Sequence, residues 1–186
     1  MTKLLPDVLV PGATAIPDAM LRSLVLDGAL VPIGPGYHPV DAPPTPSMRA
    51  AAIAPRIPPG LASRRPVVAG TSAAWVWGLQ PRLEEPLAII AQGERRMPAG
   101  DPPGLRLHRV RLGEGDVVVL AGLHVTSPLR TAIDLLRAEE ADPGPIGRFL
   151  DEHRIEPGAV VESLLGRRRL PGRRRALVRA QLLLTR

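Results

Sequence analysis

Val125-Thr126-Ser127-Pro128-Leu129-Arg130-Thr131-Ala132-Ile133-Asp134-Leu135-Leu136-Arg137 reads as a strand running directly into a capped helix. A serine hydroxyl can accept a hydrogen bond from an orphan amide of the first turn, so Ser127 suits the N-cap. Pro128 suits the first helical position, where its missing N–H would have had no partner. Leu129, Ile133 and Leu136 recur at spacings of four and three and make one apolar face, while Arg130, Asp134 and Arg137 follow the same spacing on another. A helix with one such stripe, entered straight from a strand, packs on a sheet. Asp134 stands one turn from both arginines, a pairing worth only about 0.3 kcal/mol on an exposed helix.

Working outward, four β-type runs precede this helix, at 87–91, 105–112, 117–120 and 123–125. In LRLHRVRL, apolar Leu105, Leu107, Val110 and Leu112 nearly alternate with Arg106, His108, Arg109 and Arg111, which predicts a strand with one wet face and a slip between His108 and Arg109. Ala121-Gly122 suits a tight hairpin turn. Helical patterns follow at 128–139, 145–153, 157–165 and 173–184, separated by proline and glycine. Strands first and helices after argue for an α+β fold, a mainly antiparallel sheet covered by helices, and against a βαβ nucleotide fold.

Upstream, residues 16–30 place apolar Met20, Leu21, Leu24 and Val25 behind a Pro17 start and ahead of a Gly28 stop, and VPIGPGYHPV then reads as a small hairpin around Gly34-Pro35-Gly36. A helix, a glycine and a small hairpin form the second half of a winged helix. Residues 1–15 contain Pro6, Pro11 and Gly12 and leave no room for the preceding helices, so the unit is reduced. Ten prolines between Pro32 and Pro66 mark a poorly helical connection, broken by a helix at 47–54. The expected division is therefore 1–46, a reduced winged-helix-like unit and linker, and 47–186, the α+β domain. Thr71 or Ser72 is expected to cap a short helix at 73–77. Trp75 and Trp77, two apart, cannot share a helix face, which puts one in the core and the other at its edge.

The composition excludes several classes of function. The 186 residues contain no cysteine, so thiolate chemistry, disulfides and thiolate metal sites are absent. No run approaches the ~18 apolar residues of a membrane helix, and the start lacks the unbroken apolar core of a signal peptide, so a cytoplasmic protein is expected. The four aromatics make base stacking a poor basis for binding. Of the 24 cations, eight lie in residues 163–186 with none of the 18 acids, so this tail carries +8 and the rest −2. Such a block attracts phosphate backbones, although a bias toward arginine coding would also produce it.

Catalytic chemistry is thinly represented. No two histidines stand at metal-ligand spacing, and GxxxxGK[ST], GxGxxG and GxSxG are all missing. His108 would need an acid brought to it by the fold. His124 reads as a sheet residue, and His153 ends a helix, where the dipole favours a cation. No catalytic residue, cofactor or metal is expected, and the chain is read as a non-enzyme.

The VTSPLRTAIDLLR string, about fifty residues after GTSAAWVWGL (Gly70 to Leu79), resembles the actinobacterial AbiEi-type antitoxins of type IV toxin-antitoxin systems. The helix and hairpin near 16–40 and the closing GRRRALVRAQLLL extend the similarity more loosely. The resemblance implies a winged-helix DNA-binding regulator that represses its own operon and counters a nucleotidyltransferase toxin. Relatives with a nuclease-like extension carry it beyond the equivalent of Arg186, so no endonuclease activity is implied. The partners expected are double-stranded operator DNA and a cognate toxin. The contact residues expected are Arg22 on the helix, Tyr37 and His38 in the hairpin, and Arg167, Arg168, Arg169, Arg173, Arg174 and Arg175 in the basic turn. The family's wing usually carries arginine, and here it carries none, which leaves open a protein-interaction module that kept the fold without DNA binding.

Overall fold

The computed structural model describes residues 7–92, 100–167 and 170–185. In chain order these form α1 (Asp18–Leu26), β1 (Leu30–Ile33), β2 (Gly36–Pro39), α2 (Pro46–Ile53), β3 (Val67–Val68) and α3 (Gly70–Val76). Strands β4 (Leu87–Ile90), β5 (Leu105–His108), β6 (Val117–Leu120) and β7 (Leu123–Thr126) follow. The chain closes with α4 (Pro128–Leu136), α5 (Pro143–Glu152), α6 (Pro157–Gly166) and α7 (Arg173–Leu184). Two short 3-10 turns join α2 to β3.

The 125–137 stretch folds as its pattern requires. β7 leads into α4 through Ser127, whose Oγ accepts from the Arg130 amide at 3.4 Å, and Pro128 opens the helix. Ile133 and Leu136 are buried. The sheet has five strands in the order β5-β4-β3-β7-β6. It is mixed, where a mainly antiparallel sheet was expected: β3 pairs antiparallel with β4 but parallel with β7, and β4 pairs parallel with β5. Two features the pattern hides cause this. The central strand, β3, is only two residues long behind Pro66, and β4 and β5 are separated by the long connection a parallel pair needs. β6 and β7 form the expected hairpin, with Ala121 and Gly122 both at positive φ, as a type I′ turn requires.

Strand β5 ends at His108, the point of the expected slip, and Val110 and Leu112 turn back onto Val67, Ala69, Ile90 and Val117. The other face of the sheet buries Val68, Leu87, Ile89, Leu105, Leu123 and Val125 against Met48, Ile53, Trp75 and Val76 of α2 and α3. A second core joins Ile133 and Leu136 to Phe149, Leu150, Val160, Leu164, Ala176, Ala180 and Leu183 of the last three helices. Trp77 packs against both cores, and its Nε1–H donates to the Thr126 carbonyl at 2.8 Å. Trp75 is thus the core residue and Trp77 the edge one. No side-chain cap is seen on α3. Its N-cap is Ala69, and the Ser72 hydroxyl instead accepts from the Ala88 amide at 2.9 Å, tying the helix to β4.

The N-terminal helix and hairpin have the expected shape. Leu9, Leu21 and Leu30 form a small core with Tyr37, and Leu9 bridges to Tyr37 across β2. The hairpin is nevertheless committed to the larger domain. Ile33 belongs to the main core, and a Cβ at Gly34, the tip residue, would lie 2.8 Å from the Trp75 ring. No helix among the described residues is long and apolar enough to cross a membrane.

Candidate functional site

A buried charge cluster lies where β6, α4 and the end of α6 meet. Arg130 projects inward from the first turn of α4 and is wholly buried. Its Nη1 donates to Asp116 Oδ2 at 2.8 Å and its Nε to Asp134 Oδ2 at 3.0 Å. Arg137 Nη1 donates to the other Asp134 oxygen at 2.7 Å. Arg167 grips Asp116 with both terminal nitrogens, at 2.9 and 2.5 Å, while its Nε donates to Ser163 Oγ. Three guanidinium groups thus meet two carboxylates, and the cluster carries one positive charge in excess. The Arg130 Nη2 has no hydrogen-bond partner among the described residues.

Asp116 closes the Gly113-Glu114-Gly115-Asp116 turn. Its amide donates to the Gly113 carbonyl at 3.2 Å, and the Gly113 amide donates back to Asp116 Oδ2 at 2.7 Å. Burial on its own would raise the pKa of this carboxyl. The hydrogen bonds from Arg167 and Gly113 and the charges of Arg130 and Arg167 outweigh that, and the pKa is lowered.

A cleft of about 600 Å³ opens beside this cluster. Arg109, Val110, Arg111, Leu112 and Gly113 form one wall; Arg167, Leu170 and Pro171 form the other. Its lining, among the described residues, includes three arginines and no acid. Arg109 and Arg111 are exposed, and no ion pair engages them among the described residues. Two basic segments more than fifty residues apart in sequence therefore face one groove. A smaller cleft of about 250 Å³, which shares Val110 with it, lies between His108, Ile90 and the end of α4 at Asp134 and Arg137. The two are linked by Arg137, whose Nε donates to the Pro171 carbonyl at 2.6 Å.

The residues expected to contact DNA divide into several groups. Arg22 is exposed on α1. Tyr37 is half-buried in the small N-terminal core, and His38 is buried, with its Nδ1 unpartnered among the described residues. Arg167 lines the cleft while bound to Asp116, and Arg168 and Arg169 lie outside the described residues. Arg173 donates to the carbonyls of Leu164 and Leu165 at the end of α6, where the helix dipole favours a cation. Arg174 and Arg175 are exposed at the start of α7. Farther along, Arg179 donates to the carbonyls of Leu136, Ala138 and Glu139 at the end of α4. Part of the +8 tail thus closes helix ends.

Asp116 went unnoticed in sequence because nothing marks it except its place in a glycine-rich turn. Asp134 pairs with both Arg130 and Arg137, and the pair counts for more than an exposed one because the cluster is buried. His153 caps α5 and contacts the rings of Trp77 and Phe149 edge-on, at centroid distances of 5.3 and 4.5 Å. Contrary to the expectation from the dipole, burial lowers its pKa, and the nearby Glu152 carboxylate only partly restores it. His124 is exposed on β7. No three His, Asp or Glu side chains among the described residues converge to hold a metal ion.

No protein-family model matches the chain, and no curated protein matches it. Among solved structures, the crystal structure of the RV2827C protein from Mycobacterium tuberculosis aligns over 97% of this chain and 76% of that one, at 16% identity and a TM-score of 0.36.

Proposed function

We propose that this protein is a cytoplasmic DNA-binding regulator of the type IV antitoxin class, acting on its own operator and countering a nucleotidyltransferase toxin. The observation that carries the DNA reading is the cleft whose lining, among the described residues, sets Arg109 and Arg111 with Arg167 and includes no acid, with Arg174 and Arg175 exposed at the start of α7. Exposed guanidinium groups in one groove, such as those of Arg109 and Arg111, neutralise phosphates and release their counterions. With no aromatic side chain in the lining, backbone charge is the natural target there. The antitoxin assignment rests on the VTSPLRTAIDLLR and GTSAAWVWGL motifs. The phosphate contact accordingly moves from the hairpin, which is arginine-free and docked on Trp75, to the cleft.

The test is fluorescence-anisotropy binding to the upstream duplex and to a scrambled duplex across a salt series. Binding that prefers the upstream sequence is expected, with a log-log salt slope that falls by about 1.8 in R109A/R111A, at roughly 0.9 per phosphate. An unchanged slope in that variant, or no binding at low salt, removes the cleft from the reading. The buried His38 and docked hairpin favour a second reading, a protein-interaction module without DNA binding. A toxin that co-purifies after nuclease treatment, from a protein that ignores both duplexes, would select it.

A further inference from the structure

We propose that Asp116 is a positioning residue that holds the two walls of the basic cleft in register, an inference that rests on the nucleic-acid reading above. One wall ends at Gly113, whose amide donates to Asp116 Oδ2. The other begins at Arg167, whose two terminal nitrogens donate to Oδ1 and Oδ2. A single carboxylate is therefore the meeting point of both walls. Arg130, fully buried behind it, donates to the same Oδ2 and ties it to α4, so Asp116 cannot drift with either wall.

The Arg167 guanidinium has five N–H donors. Three are directed at Asp116 and Ser163. The remaining two are left over on a guanidinium that lines the same cleft as Arg109 and Arg111 and is already held by Asp116, whereas a free arginine would lose rotamer freedom on meeting a phosphate. On charge alone, an aspartate beside a polyanion site is a liability, because it repels the ligand. Its presence there is accounted for by the alignment it imposes.

The effect expected of neutralising this carboxylate is opposite in sign to the effect of charge. Asp116→Asn removes one negative charge from the protein, so charge by itself requires tighter duplex binding. If Asp116 positions the cleft, D116N instead weakens binding to a fluorescein-labelled upstream duplex on the order of tenfold, the worth of one aligned charge-assisted hydrogen bond. Arg167→Lys keeps the charge, loses the two-pronged grip, and is expected to weaken binding similarly. The double variant should be no worse than either single one, because both break one device. Tighter or unchanged binding by D116N overturns the proposal, and if D116N does not fold, unchanged binding by R167K does so.

Amide hydrogen exchange on R167K separates this inference from the DNA reading. Arg167 reaches Gly113 only through the Asp116 carboxylate, with no hydrogen bond between the two, so release of the carboxylate should speed exchange at the Gly113 amide along with Leu170, leaving the β3 and β4 amides unaffected. If the wild type binds no duplex, the DNA reading fails while the exchange result still decides the role of Asp116. Protection at Gly113 that does not change in R167K overturns it.

Discussion

Replacing Arg130 by alanine tests whether the buried cluster is a net source of stability. The guanidinium is completely buried and makes two ion-paired hydrogen bonds, to Asp116 at 2.8 Å and Asp134 at 3.0 Å. Each such bond contributes about 1.5–3 kcal/mol, and truncating a large buried side chain adds a cavity cost that brings comparable substitutions to about 2–5 kcal/mol. Two effects oppose this loss. Asp116 keeps Arg167 and Gly113, and Asp134 keeps Arg137, so neither carboxylate is left bare. The unpartnered Nη2 also disappears, relieving a burial cost of about 1–3 kcal/mol. The net loss expected is about 3 kcal/mol, at the lower edge of the range for breaking a buried pair. For a chain of this length that is a fall in Tm of about 6–12 °C. Urea denaturation at neutral pH, followed by the fluorescence of Trp75 and Trp77, measures it. Arg130→Met, which refills the volume of the stem, should recover about 1 kcal/mol. Because the pairs are buried, the loss should persist in high salt, where surface pairs are screened. R130A within about 1 kcal/mol of the wild type, or R130M more stable than it, would show that desolvation outweighs the ion pairs and refute the reasoning.

Two further outcomes follow from local geometry. The lowered pKa of His153 means that the unfolded chain takes up a proton before the folded one, so stability should fall as pH drops through about 6.5 toward the folded value. His153→Phe should flatten that part of the stability profile in denaturation measured between about pH 7 and 5, and an unchanged slope would contradict the assignment. Gly172 has φ +73°, and a Cβ there would lie 3.2 Å from the Arg137 carbonyl. Gly172→Ala should therefore cost about 1–2 kcal/mol in thermal or chemical denaturation, whereas Gly158→Ala, where a Cβ meets open space, serves as the control.

Elements with strong local signals were legible in the sequence to within a few residues. The helix after Ser127, the 121–122 turn and the four C-terminal helices were set by a cap, a positive-φ turn or a proline, and each depends on neighbours in the chain. The two-residue β3 carries no periodicity, yet it is the centre of the sheet, and missing it made the sheet look antiparallel. The candidate site shows the same division. The arginines at 109 and 111 and those at 167–175 were visible as two separate basic runs, while Asp116, the residue between them in space, was not singled out.

What the sequence by itself determined is therefore the α+β class, the helix ends and turns, and the supply of arginine, because backbone preference and side-chain spacing act over a turn or less. Tertiary structure decided what each arginine does. Arg130 is buried with two carboxylates, Arg173 and Arg179 close the ends of other helices, and Arg109 and Arg111 are exposed at a groove. These roles differ because the energy of a guanidinium depends on its burial and on the carboxylates or carbonyls within reach, and those are fixed only when distant segments pack together.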